Sequence, residues 1–276
     1  MDAIVSGKTA ADENFPVGSW LLPRDVRPHV ARFYAFARAA DDIADSPALG
    51  RDEKLARLKA VEAALLGAPP ATPAEEAAAR LAASLAQTAV TPLYARHLLQ
   101  AFMHDARNDL TPTWSDLLTY CRFSAAPVGR FLIDTHGEDA AAYPASDALC
   151  AALQILNHLQ DIKADYLERR RVYLPQAWLK EAGCTLDELA APRCSPGLRR
   201  VIDRTLDGTD SLIATARPLP RFLRRRGFRA EAAVIVVIAE KLAARLRRGD
   251  ALARRVALSR PARLACLVEG ALRSLR

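Results

Sequence analysis

An all-α fold is what this sequence predicts, and three observations predict it. Of 276 residues, 51% are hydrophobic with recurring alanine runs, aromatics are only 6%, and strand-like alternation of Val, Ile, Thr and Tyr is scarce. That balance favours helix over sheet. Apolar positions recur at three- and four-residue spacing through nearly every segment, the period of a helix with one face in a core. Prolines sit at the starts and ends of these segments, where helices tolerate them. A chain of this length buries one large core or two modest ones, and no linker richer than Ala68-Pro-Pro-Ala71 divides it. One helical domain over residues 13–276, after a loose tail over residues 1–12, is the economical reading.

Taken in order, Pro23 and Asp25 mark a helix start before Val26, with Val30, Phe33, Tyr34 and Ala37 as its apolar stripe and Ser46-Pro47 as its stop. Residues 52–66 repeat apolar positions at Leu55, Leu58, Val61 and Leu65 and end at Gly67-Ala-Pro-Pro70. Helices over residues 73–87 and 92–107 each open on a proline, and their work is packing. Thr113 caps a helix from Trp114 to about Thr135, which Pro127 and Gly129 should either bend or break. Ser146 and Asp147 are expected to cap the next helix, which runs to about Glu168. Short pieces over residues 176–195 precede helices over 196–216, 229–248 and from 260. The run Ala232-Ala-Val-Ile-Val-Val-Ile-Ala239 is apolar all round, so its helix should be central.

Charge is uneven along the chain. Residues 221–276 hold 15 Lys and Arg against 4 Asp and Glu, so this end carries +11 of a net +7 and the preceding chain −4. No interleaved aromatics or recognition motif accompany it, which argues against nucleic acid and for weak contact with an anionic membrane surface. Five cysteines without metal-ligand spacing predict reduced thiols in a cytoplasmic protein. Residues 1–11 lack an apolar core and do not make a signal peptide. The longest strongly apolar run, residues 232–239, is far short of the roughly 20 residues that span a bilayer.

Chemistry concentrates in two stretches, Tyr34-Ala-Phe-Ala-Arg38-Ala-Ala-Asp41-Asp42-Ile-Ala-Asp45 and Asn157-His-Leu-Gln-Asp161-Ile-Lys-Ala-Asp165. Positions four apart share a helix face, so Asp41 stacks with Asp45, and Asn157 with Asp161 and Asp165. A single DxxD is usually a solvated face, but both of these lie on helices that are otherwise core. Like charges there repel, and burying them without a counter-charge costs several kcal/mol each or forces protonation. A cation is the simplest remedy. Carboxylate and amide oxygens are hard ligands, which suits magnesium, and magnesium commonly shares its shell with substrate phosphates. Two facing acidic stripes therefore describe a diphosphate clamp. Arg169-Arg-Arg171, directly after the second stripe, supplies the fork that such a group needs.

Three ordered blocks, YAFARAADDIAD, YCRFSAAPVGR and NHLQDIKADYLERRRVYLP, resemble the squalene/phytoene synthases, from about Asn14 to the C-terminus. The phrases ENFPVGSWLLP, SAAPVGRFLID and ALCAALQILNHLQD are most similar to the bacterial hopanoid-pathway branch, which converts presqualene diphosphate to hydroxysqualene. The resemblance implies an isoprenoid-synthase helical bundle with a central cavity. It implies that Asp41, Asp42 and Asp45 form the first aspartate-rich motif and Asn157, Asp161 and Asp165 the second, holding two or three magnesium ions that bridge the diphosphate. It places Tyr34, Arg38, Gln154, Arg171 and Tyr173 around the diphosphate, and Tyr120, Val128 and Gly129 along the cavity. The stretch between Asp165 and Arg171 is a residue longer than in carotenoid-forming relatives. Presqualene diphosphate is then the substrate, water the trap, and NADPH is not expected; Tyr120 and Asn157 are candidates for positioning that water. The resemblance also implies functional coupling to a presqualene diphosphate synthase, and a place in the cytoplasm or at the inner membrane face. Head-to-head condensation of prenyl diphosphates is the alternative within the family, and a non-catalytic assembly factor of the same fold the distant one.

Overall fold

The computed structural model describes residues 23–108 and 110–275, so the expected loose tail over residues 1–12 and the ENFPVGSW segment lie outside the described residues. Twelve α-helices occur among the described residues: α1 (Arg27–Asp45), α2 (Arg51–Leu65), α3 (Pro73–Thr88), α4 (Leu93–Arg107), α5 (Trp114–Ser124), α6 (Ala126–Thr135), α7 (Tyr143–Arg169), α8 (Gln176–Glu181), α9 (Pro196–Ala216), α10 (Leu219–Phe222), α11 (Arg226–Arg248) and α12 (Arg260–Ser274). No strand occurs among them.

Most boundaries follow the local chemistry. Thr72, Thr113, Ser195 and Ser259 accept N-terminal amide bonds at the starts of α3, α5, α9 and α12, each such cap being worth about 1 kcal/mol. Three expectations need correction. The first helix begins at Arg27, not before Val26, with Pro28 in its first turn and no side-chain cap. Of the bend or break expected within residues 114–135, the structure shows the break, because Pro127 has no amide hydrogen for Phe123 and its ring crowds that carbonyl; it falls at Ala125 (φ −127°, ψ −48°). α7 starts at Tyr143 after a 3₁₀ turn over Ala140–Ala142, so Ser146 is a buried interior residue, and Asp147 receives Arg130 at 2.6 Å rather than capping. α11 begins at Arg226, three residues before the expected start.

Two buried clusters organise the packing. One joins α1 to α4 through Phe36, Leu58, Leu81 and Leu99; the other joins α5, α7, α9 and α11 through Leu117, Leu156, Leu206 and Leu242. Each such side chain contributes roughly 1.5–3 kcal/mol by leaving water. α6 bridges them, Phe131 stacking on Phe33 at 4.0 Å while Ile133 faces the second cluster. Gly129 permits this approach, since a Cβ there would lie 2.3 Å from Ser146 Oγ and 2.8 Å from Cys150 Sγ of α7. α11 packs against α7 and α9 on one side and α12 on the other, as its apolar run predicts. The five cysteines are free thiols.

Candidate active site

The C-terminal ends of α1 and α7 meet, and arginines join them. At the end of α7, Arg170 adopts the left-handed conformation (φ 56°), and the chain reverses. That reversal sends two guanidinium groups to one carboxylate: Arg169 Nε donates to Asp45 at 3.0 Å and Arg171 Nη1 at 2.6 Å, while Arg171 Nη2 also reaches the Ala44 carbonyl at 3.1 Å. Arg169 further lies 3.5 Å from Asp165, so one arginine spans the first and second acidic stripes. Arg38, one turn before the first stripe, pairs with Asp41 at 3.3 Å and Asp42 at 2.7 Å. Arg255, in the loop after α11, donates to Asp161 at 2.6 Å. All five motif aspartates therefore have a guanidinium partner.

Those partners do not remove the crowding at Asp41. Burial, then the charge of Asp45, push its carboxyl up to about 7; Arg38 pulls the other way, and Asp105 and Asp42 add to the rise. Burial alone would lower Arg171, but Asp105, Tyr173 and Asp45 outweigh it and hold the guanidinium firmly charged.

Behind the acidic ends lies an aromatic layer. Tyr120 and Tyr173 both donate to Asp105, at 2.9 and 3.0 Å, with their rings 5.2 Å apart. Burial and the Asp105 carboxylate raise both phenols well above their ordinary value, so they remain neutral donors. His158 stacks on Tyr173 at 3.6 Å, meets Gln154 Nε2 at 3.2 Å and lies 3.9 Å from Asp165. His158, Asp165, Arg171 and Tyr173 line a narrow pocket with Leu117, Ile155 and Leu159 of the apolar core.

Most of the residues singled out from the sequence thus come together: Arg38, Asp41, Asp42, Asp45, Asp165 and Arg171 where α1 meets α7, Asp161 one turn before Asp165 in its own pair with Arg255, and Tyr120, Gln154 and Tyr173 in the adjoining layer. Tyr34 and Asn157 are half-buried on α1 and α7. Val128 packs against the core of α1 to α4, and Gly129 abuts Ser146 and Cys150. Sequence reasoning missed Asp105, His158 and Arg255. Asp105 carried a readable signal, a carboxylate four residues after buried Ala101 on an otherwise apolar helix face. His158 stood inside the second motif unremarked.

Among the described residues, no three of His, Cys, Asp or Glu are gathered into a preformed metal cage. The donor set still fits magnesium, which needs one or two carboxylates and completes its shell with water and substrate phosphate. Every candidate donor is a hard oxygen.

The chain matches squalene/phytoene synthase over residues 8–262. It is 42% identical to the hydroxysqualene synthase of Rhodopseudomonas palustris over 92% of this chain and 86% of that protein. It is 40% identical to the hydroxysqualene synthase of Sinorhizobium fredii, over 90% and 84% respectively. In three dimensions it resembles the squalene synthase HpnC from Alicyclobacillus acidocaldarius, at a TM-score of 0.72 and 35% identity, covering 84% of this chain and 87% of the other. With two acidic helix ends joined by arginines in an all-helical bundle, this chain belongs to the squalene/phytoene synthase family.

Proposed function

We infer that this protein is a hydroxysqualene synthase, taking presqualene diphosphate and water to hydroxysqualene and diphosphate. The observation that carries the reading is the likeness, across nearly the whole chain, to two proteins of that name at 40% identity or more. The site chemistry agrees with it. The carboxylates of Asp41, Asp45, Asp161 and Asp165, with the Asn157 amide, would hold magnesium. When bound, magnesium neutralises the leaving diphosphate and so favours C–O heterolysis.

The chain's own residues do the rest. Arg38, Arg169, Arg171 and Arg255 are within reach of the same carboxylates, and the diphosphate is the ligand to which their forks are suited. Tyr34 and Gln154 border that group. Tyr173 and His158 line the pocket and Tyr120 packs against both, and such rings steady a carbocation through their quadrupoles. Asp105 fixes both phenol hydroxyls, so the rings are set before substrate arrives. The apolar wall behind them, Leu117, Ile155 and Leu159, keeps bulk water from the cation until the one productive addition. In that addition a water oxygen forms the C–O bond and loses one proton, and the diphosphate leaves with the electron pair of its own C–O bond.

Residues 13–276 act as one catalytic domain. Among the described residues no helix is long and apolar enough to cross a membrane, and the basic C-terminal segment makes weak contact with a membrane surface. A presqualene diphosphate-forming enzyme supplies the substrate.

The solved relative at 35% identity is described as a squalene synthase, which gives the competing reading its weight. Purified protein is incubated with presqualene diphosphate, with and without NADPH, and the organic product identified. Hydroxysqualene in both incubations is expected. Squalene formed only with NADPH replaces this reading with a reducing synthase, and consumption of farnesyl diphosphate alone replaces it with a head-to-head condensing enzyme.

A further inference from the structure

α12 packs along α11, with Ala262 and Cys266 in an apolar cluster with Val234, Val237 and Ile238, and with Glu269 and Arg273 ion-paired to Lys241 and Glu240. Of its residues only Cys266 and Gly270 are buried, and a Cβ at Gly270 would fall 2.5 Å from the Val234 backbone of α11. The opposite side of the helix faces outward and is apolar. Leu264, Leu267, Val268, Leu272 and Leu275 are 62, 47, 58, 60 and 84% exposed, and they make up half of the ten large apolar side chains exposed among the described residues. At helical spacing these five share one arc, opposite the Cys266–Gly270 seam.

The start of the arc is basic. Arg260 and Arg263 are exposed there, with no side-chain partner among the described residues. Arg273, near the other end of the helix, is held by Glu240 at 2.9 Å and Glu269 at 2.6 Å. An outward apolar arc that opens on exposed arginines is the pattern of a helix lying in a bilayer interface, with its leucines among the upper acyl chains and its arginines on lipid phosphates. The helix has 15 residues, too few to span. Residues 221–276, which include this helix, carry a net +11, and that charge suits an anionic surface. The family match ends at residue 262, so nearly all of α12 lies beyond it.

We propose that the outward face of α12 is a docking surface for an anionic lipid bilayer, seating through Leu264, Val268 and Leu272 with Arg260 and Arg263 on headgroup phosphates. The proposal deepens the weak membrane contact inferred above by assigning it a face. It rests on that contact and not on the identity of the product.

The test uses full-length protein and vesicles of phosphatidylcholine with or without phosphatidylglycerol. Binding is followed by co-sedimentation, and turnover on detergent-dispersed presqualene diphosphate by product release. Wild type should bind the anionic vesicles and dissociate as salt rises. Leu264→Ser/Val268→Ser/Leu272→Ser should weaken binding about tenfold or more at every salt concentration, because the apolar term is lost. Arg260→Gln/Arg263→Gln should weaken it about tenfold and flatten its dependence on anionic lipid. Both variants keep wild-type turnover in detergent, since none of these residues is near the acidic ends. An environment-sensitive dye on Val268→Cys, with the other cysteines left in place as a control background, should shift to the blue on anionic vesicles.

Unchanged binding of the triple-serine variant, or a dye that stays in water while the protein co-sediments, overturns the proposal and leaves a contact by charge alone. Self-association that the serine substitutions abolish, without vesicle binding in the wild type, overturns it in favour of a second copy. Loss of turnover on presqualene diphosphate with vesicle binding intact counts against the proposed reaction and not against the docking face.

Discussion

Substituting Asp45 and Asp161 separately by asparagine divides the metal-site reading from mere packing. Both carboxylates belong to the acidic stripes, so both substitutions should abolish turnover, removing a charge from the ligand set. Their effects on stability should differ. Asp45 is 23% exposed and receives two arginines, of which Arg171 is only 11% exposed. Asparagine keeps one acceptor oxygen but presents an amide donor to a guanidinium, so one charge-assisted bond is lost and a nearly buried cation is left short of its partner. Such bonds contribute about 1.5–3 kcal/mol, and the partial exposure of Asp45 places the expected loss near 2 kcal/mol. Asp161 is 25% exposed and its partner Arg255 50%, so that pair contributes no more than about 1 kcal/mol. Product formation and urea unfolding of metal-free protein, measured on both variants, read the two effects. Normal turnover in both would refute the ligand assignment. Equal stability of Asp45→Asn and wild type would refute the view that Arg169 and Arg171 tie α1 to the end of α7 through this carboxylate.

Other outcomes follow from the same geometry. Glu231 is 7% exposed, its Oε2 has no partner among the described residues, and burial alone raises its carboxyl from 4.5 to about 7. Because the folded state holds this proton more tightly than the unfolded chain, stability should fall as pH rises between those values, by about 3 kcal/mol at 1.36 kcal/mol per unit. Glu231→Gln should therefore be more stable than wild type at pH 8 and nearly equal at pH 4.5, and identical urea midpoints of the two proteins at both pH values would count against the buried charge. Gly129→Ala should cost about 1–3 kcal/mol through the clash with Ser146 and Cys150, and Ser146→Ala in the same chain should recover part of it in a thermal melt. Asp105→Asn should slow turnover more than Tyr120→Phe, because it unsettles both phenols while the second removes one hydroxyl, and steady-state rates on presqualene diphosphate compare them.

How much of this was legible depended on whether the signal was local. Helix period, proline position and the Thr113 cap are properties of a few neighbouring residues, and they placed most of the helices to within a residue or two. The errors arose where a distant partner claimed the group. Ser146 and Asp147 look like caps, but Ser146 is needed against Gly129 and Asp147 against Arg130, contacts that only the crossing of α6 on α7 creates. The acidic stripes were visible because four-residue spacing reports a shared face directly. Arg255 was not, since nothing local separates it from the other arginines of a basic segment. It reaches Asp161 because the loop after α11 is pinned to α7 elsewhere: Gln160 donates to the Val256 carbonyl at 2.5 Å, and Lys163 to the Leu252 carbonyl at 3.4 Å.

The arginine pairs also explain how an acidic cluster can exist before any cation arrives. Asp41, Asp42, Asp45, Asp161 and Asp165 bring five formal negative charges to the junction of α1 and α7, and Arg38, Arg169, Arg171 and Arg255 return four positive ones. The crowding shows at Asp41, where burial first and then the charge of Asp45 raise the carboxyl to about 7. Guanidinium groups thus offset most of the carboxylate charge where α1 meets α7. In the proposed reaction the carboxylates would hold magnesium and the guanidinium groups would receive the diphosphate, so the same arginines that tie the two helix ends together are in position to take the leaving group.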